Sequence, residues 1–153
     1  MSAAARLAEL GLTLPPVAAP GGAYVPAVLA GQLVYTAGQL PTVDGKLPAT
    51  GKVGGEVSVP DAAVLARTCA LNALAAAAQA AGGLDAIRRI VKVTGFVASA
   101  PGFNSQPQVV NGASELLIEV FGEAGRHARS AVGVAELPLD APVEVELIAE
   151  VGG

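Results

Sequence analysis

The chain is poor in charge. Lys and Arg number 9 and Asp and Glu 13, 14 % of 153 residues, against roughly 25 % in an average soluble protein. Aromatic residues make up 3 %, with no Trp, and there is one Cys and one His. Each shortage excludes something. Few aromatics leave few platforms on which single-stranded bases could stack. A net charge of −4 and a pI near 4.9 repel polyanions at long range, so nucleic acid is not an expected partner. One Cys and one His cannot build a Cys/His zinc site, and no metal is expected. A lone Cys69 rules out a disulfide scaffold within the chain and fits a reducing cytoplasm. No run of about 18 apolar residues is free of polar breaks, so neither a transmembrane helix nor a membrane partner is expected. The N-terminus carries Arg6 and an early Glu9 and lacks the basic start and apolar stretch of a secretory signal.

What is present is aliphatic. Hydrophobic residues are 52 %, many of them Ala, so the core must be built from Ala, Val, Leu and Ile. The length suits one domain over residues 1–153. A small chain with so few charged side chains cannot cover its own surface with polar groups. Burying part of that surface in an oligomer is the expected remedy.

Along the chain, Ala3 to Leu10 reads as a short helix stopped at Gly11. Residues 14–22 contain Pro15, Pro16 and Pro20 and read as extended linker. Strands are predicted over Tyr24–Ala30 and Leu33–Gln39, joined by a two-residue turn at Gly31-Gln32. Leu40 to Gly55 reads as loop, with a short strand near Lys52–Val57. Ser58 is a good N-cap, with Pro60 and Asp61 in the first turn. The helix over Ala62–Ala81 then runs to Gly82-Gly83, with Val64, Leu71, Leu74 and Ala78 on its buried side. One more turn is expected at Ala86–Arg89, then a strand over Ile90–Ser99 and a helix over Pro107–Phe121. Strands over Arg129–Leu137 and Val143–Val151 close the chain. The order β-β-α-β-α-β-β predicts an α+β fold, a mixed sheet with two helices on one face.

The last strand alternates. Val143, Val145, Leu147, Ala149 and Val151 face one way, and Glu144, Glu146, Ile148 and Glu150 the other. The acids either form a solvated face or line a site between subunits. On the preceding strand Arg129 shares a face with His127, Ala131 and Gly133. An Arg inside an apolar strand is costly unless paired. It either pairs with a neighbouring Glu or receives a ligand carboxylate in two parallel hydrogen bonds. His127 has a side chain that titrates near neutrality; a general acid–base role and a surface or interface role are both open to it. Cys69, mid-helix among Ala and Leu, reads as a buried small hydrophobe. The glycines of residues 51–55 make no phosphate loop, and no Gly-x-Ser-x-Gly elbow exists.

Several segments together resemble the Rid (YjgF-like) family of imine deaminases, once labelled perchloric-acid-soluble (L-PSP) endoribonucleases. They are Tyr24–Val28, Leu33–Pro41, Val110–Glu115, Ala128–Pro138 and Val143–Glu146. An Arg-Ser pair, then Leu-Pro, then a Val-Glu-Val-Glu strand is the specific part. The resemblance covers Tyr24 to Val151 and leaves residues 1–22 as an extension ahead of a core over 23–151. It implies a chorismate-mutase-like fold and a homotrimer with its sheets facing inward and clefts at the subunit interfaces. It implies hydrolysis of 2-imino acids, tautomers of reactive enamines such as 2-aminoacrylate, to 2-keto acid and ammonia, with no cofactor. By the same resemblance Arg129 grips the substrate carboxylate and Glu144 manages protons around the attacking water. Tyr24, Ala37, Gly38, Asn111, Ser130 and Ala131 shape the pocket. Many members carry Cys where Ala131 stands and Ser where Ala37 stands; thiol chemistry at the first position is excluded and a hydroxyl contact at the second is lost. A trimer that binds small carboxylates without turning them over is the alternative. An endoribonuclease is a third reading, disfavoured by the acidic pI and the missing basic stripe.

Overall fold

The computed structural model describes residues 1–152. The long helices begin where their caps lie. The Ser58 hydroxyl accepts from the Asp61 backbone N–H at 3.2 Å. From there α2 runs over Val59–Ala81 to a left-handed Gly82. The second long helix, α3, spans Gln106–Phe121, and a short N-terminal helix, α1, spans Ala3–Glu9. Five strands, β1 (Ala27–Ala30), β2 (Leu33–Thr36), β3 (Ile87–Ala98), β4 (Ala128–Val134) and β5 (Val143–Val151), form one sheet in the order β1-β2-β5-β3-β4. Only the β3–β4 pair is parallel, and α3 connects it. α2 connects β2 to β3, which lie on either side of β5. The α+β layer of helices on a mixed sheet is the architecture expected. The third helix, α1, packs on α3: Leu7 is buried, and Arg6 Nε donates to the Glu119 carbonyl at 2.9 Å. Part of the expected extension is therefore docked on the helical layer.

The hairpin turn falls at Gly31-Gln32, with a left-handed φ of 61° at the glycine. Other boundaries move for local reasons. β1 starts at Ala27 and not at Tyr24, because the Tyr24 N–H is taken by the Gly22 carbonyl and Pro26 has no N–H to donate. β2 stops at Thr36, and Gln39 rejoins β5 through a bridge to Val145. Near Lys52–Val57 there is no strand, only bridges of Val53 to Val57 and Ser99. The extra turn is a 3₁₀ helix at Leu84–Ala86, and β3 begins at Ile87. Leu84 and Ile87 are both buried and seat the chain early, leaving Arg88 and Arg89 outside. β4 ends at Val134, because the β3 strand beside it ends at Ala98.

The apolar face of β5 packs beneath α2 and α3, as the alternation requires. On α2, Leu74 and Ala78 are buried as expected and Leu71 packs partly buried against the core; Val64 is the exception. Val64 is 64 % exposed, while Ala62, Leu65, Ala66, Cys69, Ala70 and Ala73 are buried. Small residues face inward because the helices nearly touch. A Cβ added at Gly112 of α3 would overlap the Ala63 carbonyl oxygen of α2. Backbone against backbone cannot give way as a flexible side chain would. Gly112→Ala should cost on the order of 2 kcal/mol despite the better helix propensity of Ala. Thermal unfolding should show a midpoint about 4–8 °C lower. α2 is long and apolar enough to cross a membrane by length and composition alone, although polar residues such as Arg67 and Asn72 interrupt it. With 67 % of its apolar window buried against the sheet and α3, it is the core helix of this fold.

Candidate active site

A bulge creates the first half of the site. Tyr35 pairs with Ile148 and Gln39 with Val145, so the β2 side spends four steps where β5 spends three. The extra residue lies within Thr36–Gly38. Thr36 turns its hydroxyl to the Leu147 N–H at 3.0 Å, and the Ala37 N–H goes to the Pro26 carbonyl at 2.8 Å. Gly38 is thereby laid over the Glu144 side chain. A Cβ at Gly38 would overlap Glu144 Oε2, so the carboxyl reaches this place only because position 38 is glycine.

Glu144 lies on the face of the sheet away from the helices, beside Phe96 and two residues from Glu146. It lines a cavity of about 460 Å³ with Tyr24, Gly38, Leu40 and Leu139, walled on one side by Ala18–Gly21. The wall is pinned by Tyr24, whose hydroxyl accepts from the Gly21 N–H at 3.0 Å. Glu144 is half-buried and has no hydrogen-bond or ion-pair partner among the described residues. Burial, and then the like charge of Glu146, push its carboxyl above the usual range. The cavity thus holds an acid that takes up a proton readily.

The second half lies on the helix side of the sheet, at its β4 edge. Arg129 pairs in register with Val93 and turns toward α3. Its Nη1 donates to Asn111 Oδ1 at 2.8 Å and Ser114 Oγ at 3.2 Å, and its Nη2 to the Pro107 carbonyl at 3.3 Å. Among the described residues no carboxylate pairs with it. Of the two roles open to Arg129, pairing with a neighbouring Glu is therefore absent. Neutral acceptors aim the guanidinium and leave its charge uncompensated. Arg129 lines a hollow of about 210 Å³ with Ser114, Ile118, Arg126 and His127.

His127 is tied on both sides, its Nδ1 2.6 Å from the Gly125 carbonyl and its Nε2 2.9 Å from Ser114 Oγ. Burial lowers its pKa; the Gly125 carbonyl acts in the opposite sense, and the Arg129 charge lowers it further. Ser130 faces the open side of the sheet opposite Thr94, and Ala131 packs against the core. Cys69 is fully buried, and burial pushes its thiol well up. Among the described residues no group of three His, Cys, Asp or Glu side chains is placed to hold a metal.

Within one chain the residues named from sequence therefore form two clusters on opposite faces of the sheet. Tyr24, Gly38 and Glu144 share one cavity; His127 and Arg129 share the other hollow, with Asn111 bonded to Arg129 beside it. Sequence reasoning missed Ser114, the Pro107 and Gly125 carbonyls and the Ala18–Gly21 wall. Ser114 was within reach: it lies three residues beyond Asn111, on the same face of α3. The backbone acceptors leave no trace in residue identity.

Fold and clusters define a YjgF/chorismate-mutase-like α+β protein with a divided polar site. A family model described as YjgF/chorismate_mutase-like, putative endoribonuclease matches residues 4–151, and the chain belongs to this family. Protein TCP17 of Trypanosoma cruzi is 46 % identical over 148 residues, covering 96 % of this chain and 92 % of its own. The crystal structure of a protein of unknown function from Agrobacterium tumefaciens is 49 % identical, with a TM-score of 0.90, covering 98 % of this chain and 92 % of that one. The structure of E. coli TdcF with bound serine is 30 % identical, with a TM-score of 0.64, covering 91 % of this chain and 94 % of that one.

Proposed function

We propose that the protein hydrolyses 2-imino acids, the tautomers of enamines such as 2-aminoacrylate, to 2-keto acids and ammonia. The observation that carries this reading is the Arg129 guanidinium, aimed by three neutral acceptors and matched by no carboxylate of its own. Such a fork suits a substrate carboxylate. The serine bound in the TdcF structure, a small amino acid, likewise carries a carboxylate beside a nitrogen-bearing carbon.

The iminium carbon is already electrophilic. Water adds to it, giving a carbon that bears hydroxyl and amino groups. Once the nitrogen is protonated, the C–N bond breaks as the hydroxyl proton passes to the Glu144 carboxylate, and the departing ammonia takes that proton up as ammonium. Arg129 holds the carboxylate, while Glu144 takes a proton from the attacking water and returns one to the departing nitrogen. A half-buried carboxyl with a raised pKa suits both halves of that cycle.

One chain keeps these two groups on opposite faces of its sheet, so the reaction requires a second copy. The open face carries exposed Val28, Tyr35 and Val132. A homotrimer in which the β4 edge of one subunit meets the open face of the next would bring Arg129 of the partner subunit to the Glu144 cavity. Light scattering should give three times the chain's 15.0 kDa. A stable monomer at micromolar concentration would sink the shared site. Activity is tested by generating 2-aminoacrylate in situ and following its loss with and without the protein. Persistent binding of 2-keto acids without turnover would establish the carboxylate-binding alternative instead. The word endoribonuclease in the family description points to RNA, and a steep salt dependence of RNA affinity would be its signature. The net charge of −4 opposes it.

A further inference from the structure

The hydrogen bonds behind Arg129 have a fixed direction. The Gly125 carbonyl can only accept, so at 2.6 Å the His127 Nδ1 carries the proton. Nε2 of the neutral ring is then bare and accepts. Ser114 Oγ, 2.9 Å away, has to donate its one hydrogen to it. With that hydrogen committed, the Ser114 lone pairs face Arg129 Nη1, which donates to them at 3.2 Å. The chain reads Arg129 to Ser114 to His127 in one polarity, with Gly125 setting the tautomer.

Ser114 is largely shielded from water. It sits within α3 with 9 % of its surface exposed. A protonated His127 would reverse the order, because Nε2–H would donate to Ser114 Oγ and the Ser114 hydrogen would lose its acceptor. Burial, and after it the Arg129 charge, favour the neutral ring that the Nδ1 contact with Gly125 orients. The other charges near it are Arg126, which lines the same hollow, and Glu123, which holds Arg126 at 3.1 Å. The α3 side chains lining that hollow are the uncharged Ser114 and Ile118.

We propose that His127 is a positioning residue: acting through Ser114, it aims the Arg129 fork at the carboxylate of the imino acid. This rests on the reading of Arg129 as a carboxylate clamp. His127 touches no reacting atom. Its loss should weaken the grip on substrate and leave the chemical step nearly intact.

Three variants separate this from a packing role. His127→Phe keeps a ring but removes the acceptor. Ser114→Ala removes the middle link. His127→Gln offers an amide oxygen to the Ser114 hydroxyl. The first two should raise KM for 2-imino acids about three- to tenfold, the loss of one hydrogen bond in the chain, with kcat changed less than about twofold. The double variant should be no worse than either single one, because both break the same chain. His127→Gln should return KM to near the wild-type value. An unchanged KM in His127→Phe, or additive losses in the double variant, would overturn the proposal. A readout independent of turnover is NMR of 15N-arginine-labelled protein. Resolved Nη protons of Arg129 should merge in Ser114→Ala and His127→Phe and return in His127→Gln. Wild-type protein that turns over no imine yet shows this NMR pattern would defeat the proposed reaction while leaving the positioning chain standing. Active wild type with Arg129 signals indifferent to both variants would defeat the positioning chain alone.

Discussion

Arg129→Lys should lower turnover of carboxylated imines at least ten- to a hundredfold while charge is kept. Losing a charged hydrogen bond costs on the order of 1.5–3 kcal/mol, and each 1.4 kcal/mol is tenfold in rate. Lys fails here for reasons of geometry. The Arg129 plane spans Asn111, Ser114 and the Pro107 carbonyl with two nitrogens. An ammonium has one nitrogen and cannot both hold that frame and present two parallel donors to a carboxylate. The fold should tolerate the change, because Arg129 is only partly buried and satisfies no buried carboxylate. Thermal unfolding and light scattering on the same variant separate a lost clamp from a lost structure. A stable Arg129→Lys trimer with undiminished turnover would remove the basis for the proposed reaction.

The readable and unreadable parts of this molecule differ in physical kind. The alternation of β5 placed Val143, Val145 and Leu147 inward and Glu144 and Glu146 outward, because a strand's period of two is rigid. Ser58 and Gly82 bounded α2 because caps answer a local demand of the backbone. On α2 the helical period finds Leu74 and Ala78 but misplaces Val64, because side-chain size is no guide to burial here. Where Gly112 lets two helices approach closely, the small residues go inside and Val64 goes out. The bulge at Thr36–Gly38 was also hidden. It is defined by pairing with a strand more than 100 positions later, and no local pattern announces the extra residue. Arg129 and Glu144 were each named from sequence. Their placement on opposite faces follows from the parity of β4 and β5 and the register of each against β3, and only the register needed the structure.

Glu144→Gln should separate activity from stability in opposite directions. The half-buried Glu144 has a pKa above its ordinary value, first through burial and then through Glu146. A carboxyl raised in this way contributes most to stability when protonated. That contribution is fully present below the ordinary value of 4.5 and is lost as pH rises through the folded-state value. At pH 7 the ionised group is a net cost to the fold, and Gln removes it with little change of shape. The variant should therefore unfold at a higher temperature than wild type at pH 7, and the difference should fade below pH 4.5. Turnover should fall on the order of a hundredfold or more, the usual contribution of general acid–base catalysis, while 2-keto acids still bind through Arg129. Glu146→Gln offers the contrast. It takes away the like charge that helps hold the Glu144 pKa up, so it should shift the pH dependence of turnover toward acid and reduce the rate less than Glu144→Gln does. If Glu146→Gln is the more damaging of the two, the proton carrier is Glu146, and the Gly38 contact with Glu144 is packing alone.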